Sequence, residues 1–75
     1  MKEYLSNLSA GEEGTIVSIL GGIGIQRRLH RLGLFEGQRV KKTSNIAGKG
    51  PVIVTVNRTQ IAIGRGMAHK IVVER

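Results

Sequence analysis

Residues 25–37 read Ile-Gln-Arg-Arg-Leu-His-Arg-Leu-Gly-Leu-Phe-Glu-Gly, and they describe a short helix, its stop and a tight re-entry into extended chain. At about 100° per residue, Ile25, Leu29 and Leu32 fall on one stripe, with Arg27, His30 and Arg31 off it. Such a one-sided helix lies on an apolar surface. Gly33 is free to take the left-handed conformation that ends a helix, and Leu34 then folds back onto Leu29 in a Schellman stop. Gly37 supplies a second turn before Arg39 and Val40 open an extended run. A helix of roughly 8 to 10 residues is marginal in water by itself, so the rest of the chain must hold it.

Working outward, five short runs rich in β-branched and apolar residues predict strands, at 15–20, 38–43, 52–56, 60–63 and 70–73. Turn residues separate them. Gly11 and Gly14 precede the first, 45–51 reads as a loop, and Asn57-Arg58-Thr59 reads as a hairpin turn. The class is mainly β, a small barrel of about five strands with one short α-helix. Inward candidates are Ile16, Ile19, Val40, Ile53, Ile61, Ile63, Ile71 and Val73, although the unbroken apolar run 52–56 hides which of its sides faces in. Leu5 and Leu8 are a pair suited to tack the first residues onto the barrel. No repeat, linker or low-complexity segment divides residues 1–75, which read as a single domain.

Charge narrows the class of partner. Twelve Lys and Arg against five acidic residues give a formal net charge of +7, which favours acidic surfaces. The chain has no cysteine, which excludes disulfides, thiolate zinc sites and cysteine nucleophiles and suits a cytoplasmic protein. The longest uncharged stretch, 14–26, has 13 residues. Crossing a bilayer takes about 20 apolar ones. The first residues, Met-Lys-Glu-Tyr-Leu-Ser-Asn, lack the apolar core of a secretory signal.

Catalytic chemistry finds little support. Glu3, Glu12, Glu13, Glu36 and Glu74 sit beside glycines or near the ends of the sequence, and none is paired for acid and base roles. No nucleophile elbow is present, so the protein is not expected to be an enzyme. Gly21-Gly22-Ile23-Gly24 opens onto the helix, but the dinucleotide fingerprint would need glycine where Arg27 stands, and no P-loop Lys-Ser or Lys-Thr follows. His30 and His69 are weak metal candidates, because a site needs three or four ligands and no histidine cluster occurs. His30 falls on the outer side of the helical wheel, and Met67 reads as core filling. Tyr4 and Phe35, the only aromatics, are too few for a nucleic-acid stacking platform.

The motifs Leu5-Ser6-Asn7-Leu8 with Gly11 and Gly14, then Arg28-Leu29-x-x-Leu32-Gly33-Leu34-x-x-Gly37-x-x-Val40, Gly50-Pro51-Val52 and Ala68-x-x-Ile71-x-Val73 resemble the FeoA family of ferrous iron transport accessory proteins. The likeness covers nearly the whole chain, and the Arg-Leu-x-x-Leu-Gly-Leu-x-x-Gly run is its most specific piece. The resemblance implies an SH3-like barrel with the helix inserted between its first two strands. It also implies a cytoplasmic, non-enzymatic protein without a resident cofactor that acts at the inner face of the membrane on the ferrous-iron transporter FeoB, whose cytosolic region includes a GTP-binding domain. Two departures stand out. Gly64-Arg65-Gly66-Met67 replaces a charged, helix-like run, and Gly50 stands before Pro51 where an acidic residue is common.

For a partner surface, Arg27 and Arg31 with Leu34 and Phe35 have the basic and aromatic composition of an anchor. The competing reading of Phe35 is that it closes the barrel. Two other functional classes stay open: a basic barrel that binds RNA or single-stranded nucleic acid through Lys and Arg alone, and a module that binds ferrous or another divalent metal ion.

Overall fold

The computed structural model describes residues 1–44 and 50–75. Among these residues six strands form one antiparallel sheet: β1 (Lys2–Tyr4), β2 (Glu13–Ile19), β3 (Arg39–Ser44), β4 (Val52–Val56), β5 (Thr59–Ile63) and β6 (Ile71–Glu74), in the order β1-β6-β2-β3-β4-β5. A 3₁₀ turn, Leu5–Asn7, follows β1, helix α1 (Ile23–Leu32) joins β2 to β3, and the single-turn α2 (Arg65–Ala68) joins β5 to β6. Side chains from β2 through β6, together with Leu5, Leu8, Leu29, Leu34 and Ala68, meet in one apolar cluster, so the sheet curls around a common core.

The sixth strand is β1, which pairs with β6 in the register Lys2↔Glu74, Glu3↔Val73, Tyr4↔Val72. Its sequence carries no strand signal of its own, since Lys-Glu-Tyr neither alternates nor contains a β-branched residue. Helix α1 therefore lies between the second and third strands. Leu5 and Leu8 are buried as expected, at 0% and 2% exposure.

Ile53 is a correction. In β4 the buried side chains are Val52, Val54 and Val56, and Ile53 sits on the outer side. The register Val54↔Ile61 and Val52↔Ile63 puts the three valines on the same face as the buried isoleucines of β5. The loop expected over 45–51 lies outside the described residues at 45–49. Of the segment 64–67, read as a departure from a helix-like run, Gly64 caps and the other three residues open the one-turn α2.

The helix stop takes the expected form. Gly33 has φ 97°, its N–H donates to the His30 carbonyl at 3.0 Å, and the Leu34 N–H donates to the Leu29 carbonyl at 3.0 Å. These are the two bonds of a Schellman motif. The helix begins two residues earlier than its apolar stripe suggested, at Ile23, with Gly24 in its first turn. Leu32, placed on that stripe, stands at the reversal and remains 42% exposed, so Leu29 is the helix's one fully buried contact and Ile25 packs against the cluster's edge.

Elsewhere the strands pack closely. A Cβ at Gly14 would lie 3.0 Å from the Val73 Cβ and 3.2 Å from the Glu74 carbonyl, so glycine is what lets β2 run this close to β6. Between β4 and β5 the turn is the two residues Asn57 and Arg58, both with positive φ (49° and 68°), while Thr59 already pairs with Val56. Two positive φ values in a two-residue loop define a type I′ hairpin.

Two substitutions should move stability in opposite directions. Gly33→Ala puts a Cβ into the left-handed stop and should cost about 1–2 kcal/mol. Arg58→Gly relieves the same strain in the hairpin and should gain up to about 1 kcal/mol. Denaturant titration of both variants checks the signs.

Candidate functional site

Two turns shape the surface beside α1. The Schellman stop buries Leu34 completely, at 0% exposure, and sends the chain outward at Phe35. A second turn then runs from Phe35 to Gln38: the Gln38 N–H donates to the Phe35 carbonyl at 3.3 Å, the Phe35 N–H donates to the Gln38 Oε1 at 2.8 Å, and Gly37 has φ 92°. Positive φ at the third position is the mark of a type II turn.

This turn lays the Phe35 ring on the His30 imidazole, with centroids 4.7 Å apart and planes 18° from parallel. Glu36 Oε1 comes within 3.6 Å of His30 Nε2, a nitrogen shielded from solvent and without a hydrogen bond among the described residues. His30 is thus half-buried, where the helical wheel placed it outward. The wheel could not include a residue that folds back from beyond the stop. Phe35 is 44% exposed, so it covers the histidine and does not plug the barrel.

The outer face of α1 carries Arg27, Arg28 and Arg31, all exposed. Every carboxylate side chain of the protein faces some other group: Glu74 the Met1 ammonium, Glu13 the guanidinium of Arg39, Glu36 the imidazole of His30, and Glu3 and Glu12 the guanidinium of Arg75. The Ser9 N–H, donating at 2.6 Å, is the main reason the Glu12 carboxyl stays below its usual range, with Arg75 adding to it. Among the described residues, the three α1 arginines have no acidic partner. Leu32 and Ile23, 42% and 68% exposed, add apolar surface at the helix margins.

Of the four residues expected at a partner surface, the structure brings Arg27, Arg31 and Phe35 to solvent and withdraws Leu34. The contact that makes Leu34 the helix stop also buries it. The two histidines do not come together. His69 stacks on Tyr4, with centroids 4.4 Å apart, and its Nδ1 lies 3.0 Å from Ser6 Oγ. Among the described residues, no three His, Cys, Asp or Glu side chains gather as a metal site would require.

One residue that the sequence reading does not single out is Lys42. It is 4% exposed, and its Nζ donates to the Ser6 carbonyl at 3.2 Å. Alternation along β3 was the available signal, since Val40 and Lys42 share the inward face. Burial lowers its pKa from the ordinary lysine value, the charge of Arg65 adds to the lowering, and Glu12 opposes it.

A curled antiparallel sheet with a helix between its second and third strands, an exposed cationic helix face and a stacked aromatic beside it defines a small barrel module built to present a surface. Residues 4–75 match the FeoA domain model. A Methanocaldococcus jannaschii protein assigned as an Fe(2+) transport protein A is 42% identical over 64 residues, which are 85% of this chain and 76% of that one. The crystal structure of an iron uptake regulatory protein (FeoA) superposes with a TM-score of 0.89 at 32% identity, over 99% of this chain and 96% of that one. Stenotrophomonas maltophilia FeoA in complex with zinc, described as a prokaryotic SH3 domain protein, superposes at TM-score 0.80 and 28% identity, over 96% of this chain and 89% of that one. The chain belongs to the FeoA family, and its barrel is SH3-like. No described helix is long and apolar enough to cross a membrane.

The buried lysine gives a pH test. With its folded-state pKa below the unfolded value, the unfolded chain binds more protons between the two, so stability rises with pH across that window up to about 10.4. The wild-type protein should therefore gain stability relative to Lys42→Met as pH is raised into the alkaline range. Paired denaturation curves measure this, and a constant difference would contradict a desolvated ammonium.

Proposed function

We propose that this protein is a cytosolic, non-enzymatic accessory of ferrous iron uptake that modulates the membrane transporter FeoB through contact with the transporter's cytosolic region. The family's tie to ferrous iron transport supports the reading, as does the Fe(2+) transport assignment of the M. jannaschii relative. The observation that carries the choice of surface is the row of arginines on α1 without a carboxylate partner, beside an exposed Phe35 stacked on His30. Interface anchors combine an aromatic or arginine centre with a charged rim, and cations without internal partners attract an acidic segment at no cost to existing ion pairs.

In this reading Arg27 and Arg31 face acidic side chains of the transporter, and Phe35, held flat by His30, supplies apolar contact. Leu34 contributes from below by fixing where Phe35 emerges. The partner's nucleotide state selects when the surface is engaged, because a GTP-binding domain changes shape between its nucleotide forms.

The test is an NMR titration of the labelled protein with the cytosolic region of the transporter, with and without guanine nucleotide. Amide shifts should concentrate between Arg27 and Phe35, and Arg27→Glu with Arg31→Glu should weaken binding by roughly tenfold or more. Shifts confined to another face would overturn the surface. Full transport activity in cells carrying the double variant would overturn the mechanism.

A further inference from the structure

A second feature lies where β1, the 3₁₀ turn, β3 and α2 converge. The register Tyr4↔Val72 sets Tyr4 next to His69, just ahead of β6, and the two rings stack at 4.4 Å. The Ser6 hydroxyl stands 3.0 Å from His69 Nδ1. When that hydroxyl donates, the neutral imidazole carries its proton on Nε2 and offers an N–H on its other side. An open cleft of about 420 Å³ is lined here by Ser6, Asn7, Arg65, Gly66 and His69.

The cleft is strongly cationic for so small a domain. Arg65 is exposed and, among the described residues, has no carboxylate partner. Behind the wall, Lys42 places its buried ammonium on the carbonyl of Ser6, which lines the same cleft as Arg65. The acid that offsets this, Glu12, is itself held by Arg75 and the Ser9 N–H. No carboxylate lines the cleft. An adjoining cleft of about 400 Å³ shares Asn7 and is lined by Lys2, Glu3, Tyr4 and Val72, with Glu3 held by Arg75.

We infer that this cleft binds a small phosphate monoester, with the phosphate on Arg65, Asn7 and His69 and the organic part along Tyr4. A guanidinium fork matches two phosphate oxygens, and Asn7 and His69 line the same cleft with an amide and an Nε2–H as further donors. Arg65 in the cleft, with the Lys42 ammonium one residue behind it on the Ser6 carbonyl, suits a dianion better than a carboxylate. The space is also much larger than a bare oxyanion needs, because a water molecule takes only about 30 Å³ of liquid volume. The stacked Tyr4–His69 pair gives the remainder of the ligand a flat wall. This inference does not depend on the transporter-facing surface of α1.

Calorimetry and amide NMR at constant ionic strength test it, with adenosine 5′-monophosphate, glycerol phosphate, inorganic phosphate and sulfate as the titrants. The expected result is saturable binding of at least one monoester, tighter than inorganic phosphate, with shifts at Ser6, Asn7, Gly66 and His69. Arg65→Gln should weaken it by roughly ten- to a hundredfold, the scale of a charge-assisted hydrogen bond, while Arg58→Gln, an equal loss of charge at an exposed hairpin, leaves it unchanged. Both positions are exposed, and retained amide dispersion verifies that the variants are folded. Inorganic phosphate binding at least as tightly as both monoesters would overturn the monoester assignment. Equal losses in the two variants, shifts spread over every cationic segment, or no saturation by either monoester would overturn the site.

Discussion

The rest of the fold is arranged around the contact between Leu29 and Leu34, imposed by one left-handed glycine. Gly33 reverses the chain so that the residue after the stop donates to the carbonyl of Leu29, and both leucines enter the core at 0% exposure. A ten-residue helix has too few hydrogen bonds to persist alone. Docking through this pair fixes its azimuth, turns its arginines to water and aims the following residues at the second turn. The exposed aromatic, its histidine backing and the cationic row are downstream of one backbone conformation.

Electrostatics completes the division of labour. Five acidic side chains stand against twelve lysines and arginines, and none of the five faces an arginine of the helix. Arg75 bridges Glu3 and Glu12, joining the first strand to the approach to β2. At the surface such pairs contribute little each, about 0–1 kcal/mol. Their larger effect is on which cations are left without a carboxylate, and among the described residues these include the three arginines of α1 and Arg65.

What could be read from the sequence follows from how local each signal was. The helix stop, the hairpin between β4 and β5 and the burial of Leu5 and Leu8 each depend on residues within a few positions, and all are found. β1 was missed because Lys-Glu-Tyr becomes a strand only through β6, some seventy residues on. Ile53 was assigned inward because five consecutive apolar or β-branched residues carry no alternation, and only the register with β5 selects the valines. Of the candidate site, the exposure of Arg27 and Arg31 was legible from the helical wheel. Leu34 was not, because its role in the stop excludes it from the surface. The stacking of Phe35 on His30 and of Tyr4 on His69 depends on turns and pairing that no single periodicity encodes. Lys42 was within reach, since it shares the inward parity of Val40.

The pairing of β1 with β6 has an architectural consequence. Lys2 lies opposite Glu74, so the first and last strands run side by side and the chain enters and leaves the barrel at neighbouring points. A module with adjacent ends can be spliced into a loop of another protein, or have its ends joined and be reopened at the type I′ hairpin, with little disturbance of its core. The hydrogen-bond ladder between those two strands then works as a latch. Tension applied across the ends would unzip it first, one rung at a time, before the helix or its arginines moved.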